Sequence, residues 1–97
     1  MAVDLSTNSY PHNVTDTTIG TSYEDVTVPE NARFVYVRPV TNAGSYSHES
    51  GTPTSDIPLT ADTMQLVWVR PLQGSQSDYV FQIKAASAST TVHFLVF

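Results

Sequence analysis

The residues best suited to proton transfer or metal binding are scattered along this chain. Histidine occurs at His12, His48 and His93, and no two of them have the i, i+2 spacing that places two ligands on one face of a strand. Glu49 follows His48, but the sequence places no nucleophile or orienting group beside this possible general base. We therefore predict no catalytic residue, no metal site and no cofactor, and we predict that the protein is not an enzyme.

Two arginines, Arg38 and Arg70, have the clearest context among the charged residues. Each ends an aromatic strand pattern just before a proline, on the same predicted strand face as Tyr36 or Trp68. Two roles stay open for them. The guanidinium groups could stack on these aromatic neighbours within the chain, or they could pair with carboxylates of an adjacent subunit.

Aromatic side chains suggest a further kind of site. Tyr36, Tyr46, Trp68 and Tyr79 could form a platform on which sugars stack, although all but Tyr46 lie within strong strand patterns and could instead be packed. Tyr46 and His48 lie in a long polar stretch, residues 41–63, and are the candidates for a ligand-binding loop. Carbohydrate binding is therefore the alternative function.

Composition excludes several classes of partner. Four cations against nine carboxylates give a net charge of −5, which leaves no basic patch for nucleic acid. Without cysteine the chain has neither disulfides nor thiolate metal ligands. The apolar runs are far shorter than a membrane span, and no signal peptide is visible at the start. We expect a protein that is made and kept in a cytoplasm.

A repeated pattern identifies the central strands. Residues 66–72, LVWVRPL, match residues 34–40, FVYVRPV, and valines and aromatics favour the extended backbone that a following proline ends. No apolar helical period with a cap occurs anywhere. The sequence therefore predicts an all-β fold, a small antiparallel β-sandwich or jelly-roll-like barrel with no significant helix.

The remaining elements are predicted from alternation and turn residues. Residues 1–22 show no persistent period and are predicted to be an extended N-terminal arm, which leaves 23–97 as a single β-sandwich domain. The stretch 41–63 is predicted to contain short strands around 46–49 and 57–59 together with a surface loop. Short connections, at 73–77 and 86–89, predict that the strands of the C-terminal third form an antiparallel meander.

The strands carry more apolar surface than one small sandwich can cover. Three of the four main strands are apolar on both faces, whereas a lone antiparallel sheet normally has one polar face. We therefore predict that another polypeptide covers a second apolar face, with the arm and the 41–63 loop folding back over it as the alternative. The predicted interface residues are Arg38, Arg70, Tyr36, Trp68, Phe94 and Phe97.

One stretch resembles a known group of proteins. Residues 22–29, SYEDVTVP, followed by 32–37, ARFVYV, resemble small bacteriophage virion proteins of about a hundred residues that are rich in Ser and Thr and lack cysteine. The resemblance implies a sandwich or jelly-roll-like subunit that decorates a capsid or completes a head or tail. It also implies a homo-oligomer, with a trimer favoured, that contacts a major capsid or other virion protein after assembly in the host cytoplasm.

Overall fold

The computed structural model describes residues 3–7, 9–49, 53–72 and 77–97, and its regular structure consists of nine strands with no helix in these ranges. The predicted all-β fold is confirmed. The strands are β1 (Val3–Asp4), β2 (His12–Ile19), β3 (Glu24–Val28), β4 (Phe34–Pro39), β5 (Gly44–Ser47), β6 (Ile57–Leu59), β7 (Gln65–Val69), β8 (Tyr79–Ala85) and β9 (Thr90–Val96).

The strands form two sheets with nested pairing. Sheet A has the order β1-β3-β8-β5-β6, and sheet B has the order β2-β9-β4-β7. The antiparallel pairs β2–β9, β3–β8, β4–β7 and β5–β6 are nested as in one long hairpin that closes at β5–β6. Additional pairing of β4 with β9 and of β5 with β8 rolls this hairpin into two sheets. The topology is that of a jelly roll.

The prediction of a C-terminal meander is wrong. β7 and β9 belong to sheet B, while β8, which lies between them in sequence, belongs to sheet A. Packed sheets are only about 10 Å apart, a distance that three or four extended residues span, so a short connection can cross the sandwich as readily as it can form a hairpin. Residues 73–76 of the predicted turn at 73–77 lie outside the described residues.

The prediction of a separate N-terminal arm is also wrong for the residues that the structure describes. β1 pairs parallel with β3, and β2 pairs antiparallel with β9, so this segment adds an edge strand to each sheet. Leu5 and Ile19 are fully buried. The strand β2 cannot be recognised from the sequence because, as an edge strand, it carries mainly polar residues. Its two apolar side chains, Val14 and Ile19, pack against the core.

The long polar stretch contains the two short strands that the sequence predicts. β5 pairs with both β8 and β6, and β6 forms the edge of sheet A. Residues 50–52 of the intervening loop lie outside the described residues. β5 and β6 complete sheet A and enlarge the face that covers the core.

Alternation decides which side chains enter the core, with one exception. Val35 and Val37 of β4 point inward, as do Val92, Phe94 and Val96 of β9. In β7 the register against β4 shifts, and an extra residue bulges.

This bulge buries both Val67 and Trp68 and turns Leu66 and Val69 outward. Simple alternation along this strand, which predicts Leu66 with Trp68 on one face and Val67 with Val69 on the other, is therefore wrong here.

Candidate functional site

The outer face of sheet B is apolar where β4, β7 and the end of β9 meet. Cross-strand pairing places Phe34 beside Val69, and Tyr36 beside both Leu66 and Leu95. We call the following six residues the apolar face: Phe34, Tyr36, Leu66, Val69, Leu95 and Phe97. Four of them are exposed, including Leu66 at 46% and Val69 at 48% of full exposure. A side chain of this kind loses favourable burial when it faces water.

Aromatic contacts organise the centre of the apolar face. The Phe97 ring stands edge-on to Phe34, with centroids 6.4 Å apart, and edge-on to Tyr36, with centroids 5.8 Å apart. These are favoured geometries for aromatic pairs. The face is therefore a preformed aromatic surface on a sheet.

A groove continues the apolar face beyond the end of β7. It has a volume of about 410 Å³ and is lined by Arg33, Phe34, Val69, Arg70, Pro71 and Leu72. The Leu72 side chain is fully exposed. The groove therefore places apolar side chains beside the guanidinium groups of Arg33 and Arg70 at the edge of the apolar face.

Charge is unevenly distributed around this surface. Arg33 and Arg38 make no ion pair or hydrogen bond through their side chains within the described part of the chain. All nine carboxylates of the sequence lie in described residues, and none occupies an outward-facing strand position of sheet B. The other half of that face carries hydroxyl and imidazole groups, with Thr15 Oγ1 2.9 Å from His93 Nδ1. The surface is thus apolar with a cationic rim.

Arg70 is engaged within its own chain. Its guanidinium donates hydrogen bonds to the carbonyl oxygens of Ala32 at 2.8 Å, Ser77 at 3.0 Å and Pro29 at 3.0 Å. It also lies 4.8 Å from the centroid of the Trp68 ring. Of the two roles left open by the sequence, Arg70 has the one within the chain, stacked on its aromatic neighbour.

Trp68 begins an aromatic column that links the two sheets. Its ring stacks on Tyr79 with centroids 5.3 Å apart and planes 15° apart, and Trp68 is only 8% exposed. The Tyr79 hydroxyl lies 2.8 Å from His48 Nδ1, and His48 Nε2 lies 3.0 Å from the Val67 carbonyl oxygen. A carbonyl only accepts, so Nε2 donates to Val67 and, in the neutral ring, Nδ1 accepts from Tyr79. Burial raises the pKa of Tyr79, which keeps this donor protonated.

Tyr46 packs against the same column. Its ring stands edge-on to His48, with centroids 5.5 Å apart, and edge-on to Phe81, with centroids 6.4 Å apart. It is half-buried against the core. Tyr46 and His48, predicted as a ligand-binding loop, therefore pack on the aromatic column, with Tyr46 half-buried and His48 exposed.

The predicted interface set divides into two groups. Tyr36, Arg38 and Phe97 lie on the outer face of sheet B, as an interface requires. Trp68 and Phe94 do not, because the bulge turns Trp68 inward and strand alternation places Phe94 in the core with no exposed surface.

Arg70 is held by backbone carbonyls, as described above. The predictions for Trp68 and Phe94 as interface residues are corrected accordingly, whereas that for Arg70, which is half-buried and lines the groove, stays a prediction.

The sequence missed the remainder of the surface. Leu66, Val69 and Leu72 were not selected because the bulge in β7 reverses the expected alternation and because Leu72 follows the strand. The sequence does indicate part of this surface, because Phe34 and Tyr36 share one face of their strand and Leu95 and Phe97 share one face of theirs. Only the fold decides which of the two faces of each strand points outward.

The loop after β5 is held by one carboxylate. Glu49 accepts hydrogen bonds from the backbone amides of Ser55 at 2.8 Å and Thr54 at 3.1 Å, and from both hydroxyl groups. These bonds, led by that from the Ser55 amide, lower the pKa of Glu49 below its ordinary value of 4.5. Glu49 therefore has a structural role, and its neighbour His48 belongs to the aromatic column.

These features define a class of protein, a small jelly-roll sandwich with an exposed apolar face. In the described ranges no three His, Cys, Asp or Glu side chains lie close enough together to hold a metal ion. No helix in the same ranges is long and apolar enough to cross a bilayer. Comparison with protein-family models, curated proteins and solved structures finds no match to this chain. Its function must therefore be argued from the surface itself.

Proposed function

We propose that this protein is a non-enzymatic structural protein of a virion, which binds and stabilises a phage capsid through the apolar face. The observation that carries the proposal is the exposure of this face on sheet B, at the centre of which Phe97 packs on Phe34 and Tyr36. The jelly-roll topology adds support by analogy, because viral capsid domains share it, although lectin domains share it too.

The size of the exposed surface supports a binding role. The exposed parts of Phe34, Leu66, Val69, Leu72 and Phe97 amount to about three whole apolar side chains. Covering them would recover roughly 4–8 kcal/mol. Association costs about 4–15 kcal/mol in lost translational and rotational freedom. Apolar burial here is thus comparable with the cost of association, and stable binding requires polar complementarity in addition.

The contacts of the two candidate side chains give less support to the alternative from the sequence, carbohydrate binding by residues 41–63. Tyr46 is half-buried with its ring edge-on to Phe81, and the exposed His48 is already engaged by the Tyr79 hydroxyl. The predicted homo-oligomer, with a trimer favoured, stays a prediction, and light scattering of the purified chain measures its mass directly.

In the experiment, the labelled chain is mixed with virus particles from the cell that encodes it, and the mixture is separated on a density gradient. We expect the wild-type chain to band with virions. The structure offers a matched pair of substitutions, because Val69 on sheet B is 48% exposed and Val80 on the outer face of sheet A is 44% exposed. Val69→Lys should lose the association, and Val80→Lys should keep it.

Two results would count against the proposal. The chain could run free of particles throughout the gradient, or the two valine variants could band equally well. Circular dichroism of both variants checks that each retains the all-β fold.

A further inference from the structure

We infer that the occupant of the apolar face is a different polypeptide, whose surface is apolar at its centre and carries carboxylates opposite Arg33 and Arg38. This inference rests on the proposed function and names the chemistry of the partner. It arises from the way charge is placed in the fold.

The arginines beside the apolar face have no counter-charge of their own. Neither the Arg33 nor the Arg38 side chain has a hydrogen-bond or ion-pair partner in the described ranges. The chain has more than twice as many carboxylates as cations, yet none of the carboxylates occupies an outward strand position of sheet B. An arginine that is desolvated at an interface must be paired, so a protein that covers this face must supply acceptors.

A second copy of the chain does not supply them by packing face to face. A two-fold contact places the same patch on both sides of the interface. The Arg33 and Arg38 side chains of one copy would then approach those of the other with no Asp or Glu side chain between them. Like charges brought together in this way oppose association.

The outer face of sheet A of another copy is also a poor match. Its outward positions are mainly polar, with Val80 as the large exposed apolar side chain. Of the carboxylates on it, Asp56 lies 3.6 Å from Lys84, whereas Asp4 and Asp25 accept hydrogen bonds from the neutral groups of Ser6 and Gln82. That face therefore offers carboxylates but no apolar centre to match the apolar face.

The groove at the end of β7 indicates how the partner is held. Its walls combine Phe34, Val69 and Leu72 with the guanidinium of Arg33. A partner residue that fills the groove is therefore a large apolar side chain with a carboxylate nearby in sequence or space. An apolar anchor in a pocket with charges at the rim is the usual arrangement of a binding hot spot.

The test uses three synthetic peptides that share alternating leucine and phenylalanine and differ only in the intervening residue, which is glutamate, glutamine or lysine. Binding is measured by fluorescence anisotropy at low salt, and NMR maps the contact. We expect the glutamate peptide to bind about tenfold more tightly than the lysine peptide, with shifts at Leu66 and Val69. The net charge of −5 attracts the lysine peptide non-specifically. A preference for the glutamate peptide must therefore come from the arginines beside the apolar face.

The variant Arg33→Gln/Arg38→Gln should abolish the preference and leave the fold unchanged, since neither side chain has a partner in the described residues. Equal binding of the three peptides, or an unchanged preference in this variant, would overturn the inference.

Sedimentation of the chain alone separates this inference from the proposed function. We expect no self-association through the apolar face from low to high micromolar concentration. If wild-type chain self-associates and Val69→Lys abolishes this, the occupant is a second copy and the inference fails, although the face still acts by contact. If the peptides bind as expected but the chain never bands with particles, the virion role fails and the chemistry of the partner stands.

Discussion

Replacing Arg70 by lysine removes a set of contacts that the structure assigns to stability. The guanidinium donates three hydrogen bonds, to the carbonyls of Pro29 and Ala32 before β4 and of Ser77 before β8, and it stacks on Trp68. A lysine ammonium on a flexible stem can keep one of these bonds but not the planar fork that makes all three. Arg70→Lys is therefore a destabilising change although it conserves charge.

The magnitude follows from what is lost. A hydrogen bond to a charged group contributes about 1.5–3 kcal/mol, and partial exposure reduces each of these bonds to about 1 kcal/mol. Losing two of them, with part of the stacking on Trp68, should cost about 2–3 kcal/mol. For a domain of this size the midpoint of thermal unfolding should fall by roughly 10–20 °C.

Urea unfolding followed by the fluorescence of Trp68, the single tryptophan of the chain, measures the effect. The midpoint should fall by about 1–2 M urea with an unchanged slope. Arg38→Lys is the matched control, because the Arg38 side chain makes no hydrogen bond or ion pair within the described residues. This variant should change the free energy of unfolding by less than about 0.5 kcal/mol. Equal midpoints for the two variants would refute the assignment of Arg70 to stability.

Two further predictions concern sheet A and its loop. Gly44→Ala places a Cβ 2.7 Å from the carbonyl oxygen of Lys84, so the backbone must shift, and we expect a loss of about 1–3 kcal/mol in urea unfolding. Gly20→Ala, with no atom within 4 Å of the new Cβ, should be neutral or slightly stabilising, and the opposite order would contradict the packing described here. The lowered pKa of Glu49 means that its hydrogen bonds stabilise the loop above its ordinary value of 4.5 and are lost as the pH falls through the lower folded-state pKa. An NMR titration should show the Ser55 amide shifting below pH 4.5 in the wild type and not in Glu49→Gln; a midpoint at or above 4.5 would contradict the geometry.

The sequence was sufficient for the all-β class and for most faces of the central strands. Valine and aromatic runs with a terminal proline located β4 and β7, and simple alternation separated Val35 and Val37 from Phe34 and Tyr36. These predictions succeed because side-chain direction along a strand is a local property.

What could not be predicted depends on pairing across the fold. The bulge that buries Trp68 is a register shift between β4 and β7, which no residue of β7 signals by itself. β2 is ordered by β9, so its polar sequence was interpreted as an arm. The same limit applies to the site, because the aromatic pattern of Tyr36 and Trp68 is alike in sequence while only Tyr36 lies on the outer face.

The nested order of the strands has a consequence for biosynthesis. β9 lies between β2 and β4, and Thr15 must meet a histidine 78 positions further along the chain. At about 5–20 residues per second, a ribosome delivers that histidine roughly 4–16 s after the threonine. Throughout this interval the nascent β2 has no neighbour in its sheet, and sheet B consists at most of β4 and β7. Emergence of residues 90–96 from the exit tunnel is therefore the event that completes the fold.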